Sequence, residues 1–256
     1  MLVILVLPMF NEEQSIPLLA ESTRTLQSVD VILAVNDGST DSTLGKLKRW
    51  QTIEPRLKIL SYTPNQGLPK ALTAGFRKAL EMDVDVIVTM DSDATHSTEL
   101  IAAMVRKIRE GSDIVIASRH VLGSSETGLS AFRKLLSWGA SRLMRLFFSI
   151  KGLRDYSTNY RAYRASLVRE ALARSGGRLV TADDFSGVVE LLLRLCSLSP
   201  RISEVPLELH YEAKLSSSKV RIMKTILGYL RLIAQPKVVS RAGVCLPLLT
   251  DNRNTR

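Results

Sequence analysis

The first half of the chain alternates short apolar runs with longer amphipathic segments. The runs are rich in Val, Ile and Leu, as expected of strands buried on both faces of a sheet. They lie at 2–7, 31–35, 57–60, 86–90 and 113–118. The first four are each followed by apolar residues at helical spacing, such as Ile101, Met104 and Ile108 after the fourth run. This alternation predicts an α/β fold with a mostly parallel sheet flanked by helices.

The pattern changes after the fifth run. Residues 120–128 are polar and rich in Gly and Ser, which predicts a loop. Two basic amphipathic helices are predicted after it, at 129–150 and 220–234. Each places large apolar side chains opposite Lys and Arg, so each helix either covers the sheet or lies in a membrane interface. Two adjacent phenylalanines, Phe147 and Phe148, are more than one buried face of a helix needs. The membrane interface therefore remains an alternative interpretation.

Between these two helices the sequence predicts a third helix and a further strand. The helix is expected over 180–196, capped by Thr181 or Asp183, and the strand over 202–211. Glu190 stands inside an apolar part of this helix. Its carboxylate therefore lies either on the exposed stripe of the helix or in a functional site.

Two aspartates follow the fourth apolar run where its strand should end. Asp91 and Asp93 are separated by one residue, and alternate residues of an extended segment point to the same side. Two like charges this close repel unless a cation joins them, and oxygen ligands favour Mg²⁺ or Mn²⁺. Open α/β sheets bind ligands at the carboxyl ends of their strands, where both side chains are expected. The simpler interpretation is an Asp-rich loop that caps the following helix.

The charge of the chain limits the kinds of partner. Lys and Arg number 35 against 25 Asp and Glu, which gives a net charge of +10 at neutral pH. A basic surface favours nucleic acid, anionic lipid or a phosphorylated substrate. Aromatic residues make up only 5% of the chain, and no basic segment is interleaved with them, which disfavours nucleic acid.

Apolar and cysteine patterns indicate the compartment. No uncharged apolar run of about 18 residues occurs, so a membrane-spanning helix is not expected. The apolar start of the chain is short and lacks a basic flank, which favours a buried strand over a signal peptide. The two cysteines have no metal-binding or redox spacing, which favours a reducing compartment.

Several short motifs in this order resemble the family 2 glycosyltransferases with the GT-A fold. In the first half they are the segments 8–13, 35–41, 65–67, 90–93 and 118–119. Within that group the chain looks most like dolichyl- or polyprenyl-phosphate mannosyl- and glucosyltransferases, which the second-half segments 133–140, 155–161, 204–206 and 218–219 support. Any one motif is weak, but their order and spacing together are specific. The resemblance implies a single domain over 1–235, with a nucleotide-sugar half at 1–119, an acceptor half at 120–235 and a tail at 236–256.

The resemblance also implies where a nucleotide-sugar donor binds. The residues expected to contact it are Pro8, Phe10, Glu12, Val35, Asp37, Ser92, Arg119 and Lys219. Asp37 and Glu12 would accept hydrogen bonds from the base or the ribose, and Ser92 would contact the ribose or the diphosphate. A divalent ion, Mg²⁺ or Mn²⁺, is expected on Asp91 and Asp93, with Thr95 as a third ligand.

The implied acceptor is a lipid monophosphate, which is already ionised at neutral pH. Such a nucleophile needs cations to orient it rather than a strong general base. Arg119, Arg133 and Lys219 are the expected cations, with Arg161 behind them. Arg119, Asp91 and Asp93 are therefore the residues expected to act in catalysis.

The resulting hypothesis is an inverting, metal-dependent transfer of a hexose to a polyprenyl phosphate, with GDP-mannose as the expected donor. One alternative is a family member that uses UDP-glucose or UDP-GlcNAc, or a saccharide acceptor. A saccharide acceptor would need a carboxylate base, and Glu190, Asp183 or Asp184 could serve. Another alternative is a non-catalytic, basic membrane- or nucleic-acid-binding protein. The leading hypothesis places the protein in the cytoplasm, peripheral at the membrane or recruited by a membrane protein.

Overall fold

The computed structural model describes residues 1–128, 131–213 and 222–249. In chain order the helices and strands are β1 (Val3–Met9), α1 (Ile16–Arg24), β2 (Val31–Asp37), α2 (Thr43–Ile53), β3 (Leu57–Tyr62), α3 (Leu68–Leu80), β4 (Val86–Thr89), α4 (Leu100–Arg109), β5 (Ile114–Ser118), β6 (Ser125–Thr127), α5 (Ala131–Phe147), β7 (Arg161–Arg164), α6 (Ala165–Arg174), α7 (Ser186–Leu195), β8 (Ile202–Pro206), β9 (Glu208–His210), α8 (Ile222–Ala234), β10 (Val238–Ser240) and β11 (Gly243–Cys245).

The main sheet has the strand order β3-β2-β1-β4-β7-β5-β8. All neighbouring pairs are parallel except the two that involve β7, which runs antiparallel to β4 and β5. The predicted fold class, a mostly parallel α/β sheet flanked by helices, is confirmed. The five apolar runs of the first half become β1 to β5. Helices cover both faces of β1, β4 and β5, so every side chain of these strands is buried, whereas the edge strand β3 is only partly buried.

The central strand β1 shows how the sheet is covered. Ile4 and Val6 point to the layer that contains α3, whereas Leu5 and Leu7 point to the layer that contains α4. Gly75 lets α3 pack closely on this strand, because a Cβ at Gly75 would lie 2.6 Å from Val6 Cγ1. Because β1 pairs in parallel with both β2 and β4, the carboxyl ends of these three strands lie side by side at one edge of the sheet.

Two predicted elements of the second half have different bounds in the structure. The predicted helix over 180–196 begins at Ser186, so neither Thr181 nor Asp183 caps it. The predicted strand over 202–211 is interrupted at Leu207. Its second part, β9, leaves the main sheet and pairs with β6, because the chain turns away from β5 after β8.

Both sequence interpretations of Glu190 are wrong. Its side chain is fully buried and forms an ion pair with Arg194, at 2.6 Å between Oε1 and Nη2. The same carboxylate accepts hydrogen bonds from the backbone N–H groups of Thr181 and Ala182, both at 2.9 Å. Glu190 therefore fixes the backbone of the segment before α7 from inside the protein. The burial of its charge is tolerated because the carboxylate is paired and hydrogen-bonded.

We expect Glu190→Ala to lower the free energy of unfolding by about 3–5 kcal/mol, because Arg194 would remain charged and buried without its partner. Urea denaturation followed by circular dichroism measures this change. Glu170→Ala is the matched control, since Glu170 pairs with Arg174 at the same helical spacing but in solvent. The control should lose less than about 1 kcal/mol. Similar losses in both variants would contradict the structural role of the buried pair.

Candidate active site

A cavity of about 480 Å³ opens at the carboxyl ends of β1, β2 and β4. Its walls are completed by the segment that begins α3, the segment 183–185 before α7, and Lys224 of α8. The edge of the sheet where the sequence places Asp91 and Asp93 is therefore a formed pocket. Both aspartates line it.

The two aspartates are held by hydrogen bonds from neighbouring segments. Asn159 Nδ2 donates to Asp91 Oδ1 at 3.0 Å. Thr95 Oγ1 donates to Asp93 Oδ1 at 2.7 Å, and the Thr95 backbone N–H donates to the same oxygen at 3.2 Å. The Thr89 hydroxyl donates to the carbonyl of Asn159 at 2.6 Å, which fixes the end of β4 to the segment before β7. Both carboxylates are thus oriented before any ligand binds.

The donor set fits a hard divalent ion that is shared with a substrate. Among the residues that the structure describes, no group of three or more His, Cys, Asp and Glu side chains converges as a complete metal cage. Mg²⁺ is commonly held by one or two carboxylates together with substrate phosphates and water, and two carboxylates are present. The Asn159 Oδ1 atom beside Asp91 is buried and has no hydrogen-bond partner. The two carboxylates and this unpaired amide oxygen therefore fit an ion whose remaining ligands come from a substrate and water.

Asp37 connects β2 to the loop before α3. Its carboxylate accepts hydrogen bonds from Asn65 Nδ2 at 2.9 Å and from the backbone N–H groups of Gln66 and Gly67, both at 2.8 Å. Gly67 has φ of +90°, and a Cβ there would lie 2.5 Å from the carbonyl oxygen of Asp183. Asp37 therefore shapes the wall of the cavity.

The other residues predicted to bind the nucleotide-sugar donor at this edge of the sheet do not all line the cavity. Pro8, Phe10 and Glu12 line the cavity, and their contact with a nucleotide-sugar donor stays a prediction. The Ser92 hydroxyl donates to the Pro8 carbonyl at 2.6 Å, so it joins the ends of β4 and β1. Val35 is fully buried in the α3 layer and does not line the cavity, because its side chain faces the helix. The predicted contact of the Val35 side chain with the nucleoside is therefore wrong.

Arg119 does not line the cavity and is paired with Asp155. Its Nε and Nη2 atoms donate to the two carboxylate oxygens at 2.8 and 2.7 Å, and Nη2 also donates to Ser157 Oγ at 2.7 Å. Burial alone would raise the pKa of Asp155, but the guanidinium outweighs it and holds this pKa well below the usual range. A role for Arg119 in binding substrate phosphate stays a prediction.

Arg161 was predicted as a contact for the acceptor phosphate, and its position in the structure contradicts this prediction. The side chain is fully buried, and it donates to the backbone carbonyls of Val188 at 3.0 Å and Tyr156 at 2.7 Å. Its guanidinium binds α7 to the segment before β7, inside the protein. The two other predicted cations cannot be placed, because Lys219 and the side chain of Arg133 lie outside the described residues.

One basic residue of the cavity was not among the predicted site residues, and two acidic ones were predicted only as alternative bases. Lys224 lines the cavity from α8. Asp183 and Asp184, the alternative carboxylates for a saccharide acceptor, also line it. The basic amphipathic pattern at 220–234 pointed to the helix, but it could not indicate which of its cations faces the cavity.

We expect Asp155→Asn to destabilise the protein by about 3 kcal/mol at neutral pH, because Arg119 would lose its buried counter-charge. The native pKa of Asp155 lies below its ordinary value. The carboxylate therefore stabilises the fold above the unfolded-state pKa of about 3.9, and this stabilisation is lost as pH falls through the native pKa. Urea denaturation of both proteins at successive pH values should show their difference narrowing below about pH 4. A difference that does not change with pH would contradict the ion pair.

Three relatives of known name match most of this chain. Residues 4–175 match the profile of Glycosyl transferase family 2. The undecaprenyl-phosphate mannosyltransferase of Micrococcus luteus is 32% identical over 86% of this chain and 88% of its own length. The polyprenol monophosphomannose synthase of Mycolicibacterium smegmatis is 28% identical over 85% of this chain and 82% of its own. The dolichol-phosphate mannosyltransferase of Pyrococcus furiosus is 30% identical over 91% of this chain, which spans 63% of that protein.

Solved structures share the fold at low sequence identity. Glucosyl-3-phosphoglycerate synthase from Mycobacterium tuberculosis, in complex with Mg²⁺ and uridine-diphosphate, superposes with a TM-score of 0.66 at 18% identity, over 93% of this chain and 81% of that chain. S. aureus TarS in complex with UDP-GlcNAc superposes with a TM-score of 0.58 at 18% identity, over 91% of this chain and 66% of that chain. These likenesses confirm the GT-A fold.

The family profile covers more than half of the chain, and the Micrococcus luteus relative matches it over most of both lengths. The matched region includes every strand whose carboxyl end forms the cavity. The chain therefore belongs to Glycosyl transferase family 2, and it is a glycosyltransferase with the GT-A fold.

Proposed function

We propose that the protein transfers a hexose, mannose from GDP-mannose, to a polyprenyl phosphate at a membrane surface. The observation that carries this proposal is the pair Asp91 and Asp93 in a cavity beside a helix with an exposed apolar face. The names of three relatives, each matching over most of this chain, support a polyprenyl phosphate acceptor and a mannosyl donor.

On the donor side, Pro8, Phe10 and Glu12 would contact the nucleoside at the end of β1. Asp91 and Asp93 would hold a divalent ion, which supplies charge neutralisation at the departing diphosphate. The hydrogen bonds from Asn159 and Thr95 keep both carboxylates in place and reduce the reorganisation needed when the donor binds.

On the acceptor side, a lipid phosphate is ionised at neutral pH and attacks without a general base. Glu190, one alternative base for a saccharide acceptor, is buried and paired with Arg194, so it cannot serve. Asp183 and Asp184 line the cavity and would be the bases for a saccharide. Transfer to a phosphate by one in-line displacement inverts the anomeric centre.

The membrane surface is proposed from helices α5 and α8, which pack against each other. Their exposed apolar side chains are Leu135, Trp138, Leu143, Leu146, Phe147, Met223, Ile226, Leu227 and Leu230. The Arg142 guanidinium lies over the Trp138 ring, 5.1 Å from its centroid. Apolar side chains beside cations suit the headgroup region of an anionic bilayer, which is the composition expected at the cytoplasmic face. Within the part of the chain that the structure describes, no helix has the length and apolar character to cross a bilayer.

The first test is a transfer assay with GDP-mannose, UDP-glucose or UDP-GlcNAc, polyprenyl phosphate and Mg²⁺ or Mn²⁺. Labelled sugar should enter the organic phase from GDP-mannose, and Asp93→Asn should lose at least about a hundredfold in rate because it weakens the ion site. Asp83→Asn is the control, since Asp83 is exposed near the amino end of β4. Retained activity in Asp93→Asn would exclude the metal role, and donor hydrolysis without lipid product would exclude the lipid acceptor.

The second test concerns the membrane surface. Leu146→Glu should reduce co-sedimentation with vesicles of anionic phospholipid several-fold, because it places a negative charge on the proposed contact face. Ile53→Glu on α2 is the matched control, because the exposed fractions of the two side chains are 77% and 79%. Equal loss of vesicle binding in both variants would indicate a general charge effect and contradict this surface.

A further inference from the structure

Helix α8 has three distinct sides. Met223, Leu227 and Leu230 share one side at helical spacing and are exposed. Tyr229 and Leu232 lie on the opposite side and are buried. The helix therefore presents an apolar stripe to the outside while its other face packs on the protein.

The third side of α8 lies between these two and is basic. Lys224 and Arg231 are seven residues apart, so they project within about 20° of each other around the helix axis. Lys224 lines the cavity, whereas Arg231 does not. One edge of a single helix therefore carries two similar charges in two different surroundings.

The position of Lys224 is set by a close contact between α8 and the start of α7. A Cβ at Gly228 would lie 2.2 Å from Ser186 Oγ and 3.0 Å from Asp184 Oδ1. Gly228 follows Lys224 by four residues, so the two lie one turn apart on neighbouring sides of the helix. The contact at Gly228 thus holds this turn of α8 beside the cavity.

The charge of the cavity makes this lysine distinctive. Six carboxylates belong to its lining residues, namely Glu12, Asp37, Asp91, Asp93, Asp183 and Asp184. Among the described residues that line the cavity, Lys224 is the one lysine or arginine. A divalent ion on Asp91 and Asp93 would serve the diphosphate of the donor, which leaves Lys224 as the described cation for a second anion.

We propose that Lys224 binds the phosphate of the lipid acceptor, a role that rests on the proposed function. The apolar stripe of α8 would lie in the membrane interface, and the adjoining basic edge would then lie at the depth of lipid phosphates. An ammonium group offers three hydrogen-bond donors to phosphate oxygens and can follow a mobile ligand.

The reaction itself needs no proton from this residue. An acceptor phosphate oxygen forms a bond to the anomeric carbon, and the bond from that carbon to the donor diphosphate breaks. The electron pair of the broken bond leaves with the diphosphate. Lys224 forms and breaks no bond in this step and orients the attacking phosphate.

The test compares Lys224→Met with Arg231→Met in the transfer assay with polyprenyl phosphate in vesicles. Lys224→Met should raise the KM for polyprenyl phosphate about tenfold, because it removes a charge-assisted hydrogen bond. The KM for the nucleotide-sugar should stay unchanged, and Lys224→Arg should restore most of the affinity. Arg231→Met should leave the KM for the nucleotide-sugar unchanged and should raise the KM for polyprenyl phosphate only as far as its weaker vesicle binding does. Both methionine variants remove one charge from the same edge, so vesicle binding should fall equally in each.

Three outcomes would overturn the assignment. Equal changes in the lipid KM for both methionine variants would show that only the general charge of α8 matters. A higher KM for the nucleotide-sugar alone would place Lys224 at the donor diphosphate. Absence of lipid product from the wild-type protein would overturn the proposed function and this inference with it, whereas the first two outcomes leave the proposed function standing.

Discussion

Strand β7 runs antiparallel to its neighbours in the sheet, and the orientation of Asp91 in the cavity depends on how this strand is paired. The segment before it receives a hydrogen bond from Thr89 and returns one from Asn159 to Asp91. Two residues later, Arg161 binds α7 from inside the protein. A slip of one residue would turn every side chain of β7 to the opposite face. Asp91 would then lose the amide that orients it, and Arg161 would lose its carbonyl partners.

The fold of the first half was predictable because each of its strands is marked by a pattern within a few consecutive residues. A continuous apolar run that is buried on both faces is visible in the sequence, and β1 to β5 follow from it. The segment 156–164, which contains β7, could be predicted only as a strand or a turn, because Arg161 and Arg164 are not typical of a central strand. Pairing with β4 and β5 makes this segment a strand. The start of α7 was misplaced for a similar reason, since the buried carboxylate of Glu190 binds the preceding residues in a non-helical form.

The candidate site was predictable only where topology alone determines a position. Asp91 and Asp93 follow a buried strand, so their place at the carboxyl edge of the sheet required no tertiary information. The pairing of Arg119 with Asp155, 36 residues away in sequence, could not be foreseen from either segment. The place of Lys224 depends on the close packing of two helices at Gly228, which no periodic pattern reports.

Gly67 has a further consequence for how this site can change during evolution. Its backbone adopts a conformation that side chains disfavour, and it lies directly against the backbone of Asp183. The loop before α3 and the segment before α7, which both line the cavity, therefore touch here through their backbones alone. Such a contact contains no side chain that mutation could enlarge, shrink or recharge. New substrate preferences must arise from the surrounding side chains, such as Gln66 and Phe185, while this junction stays constant.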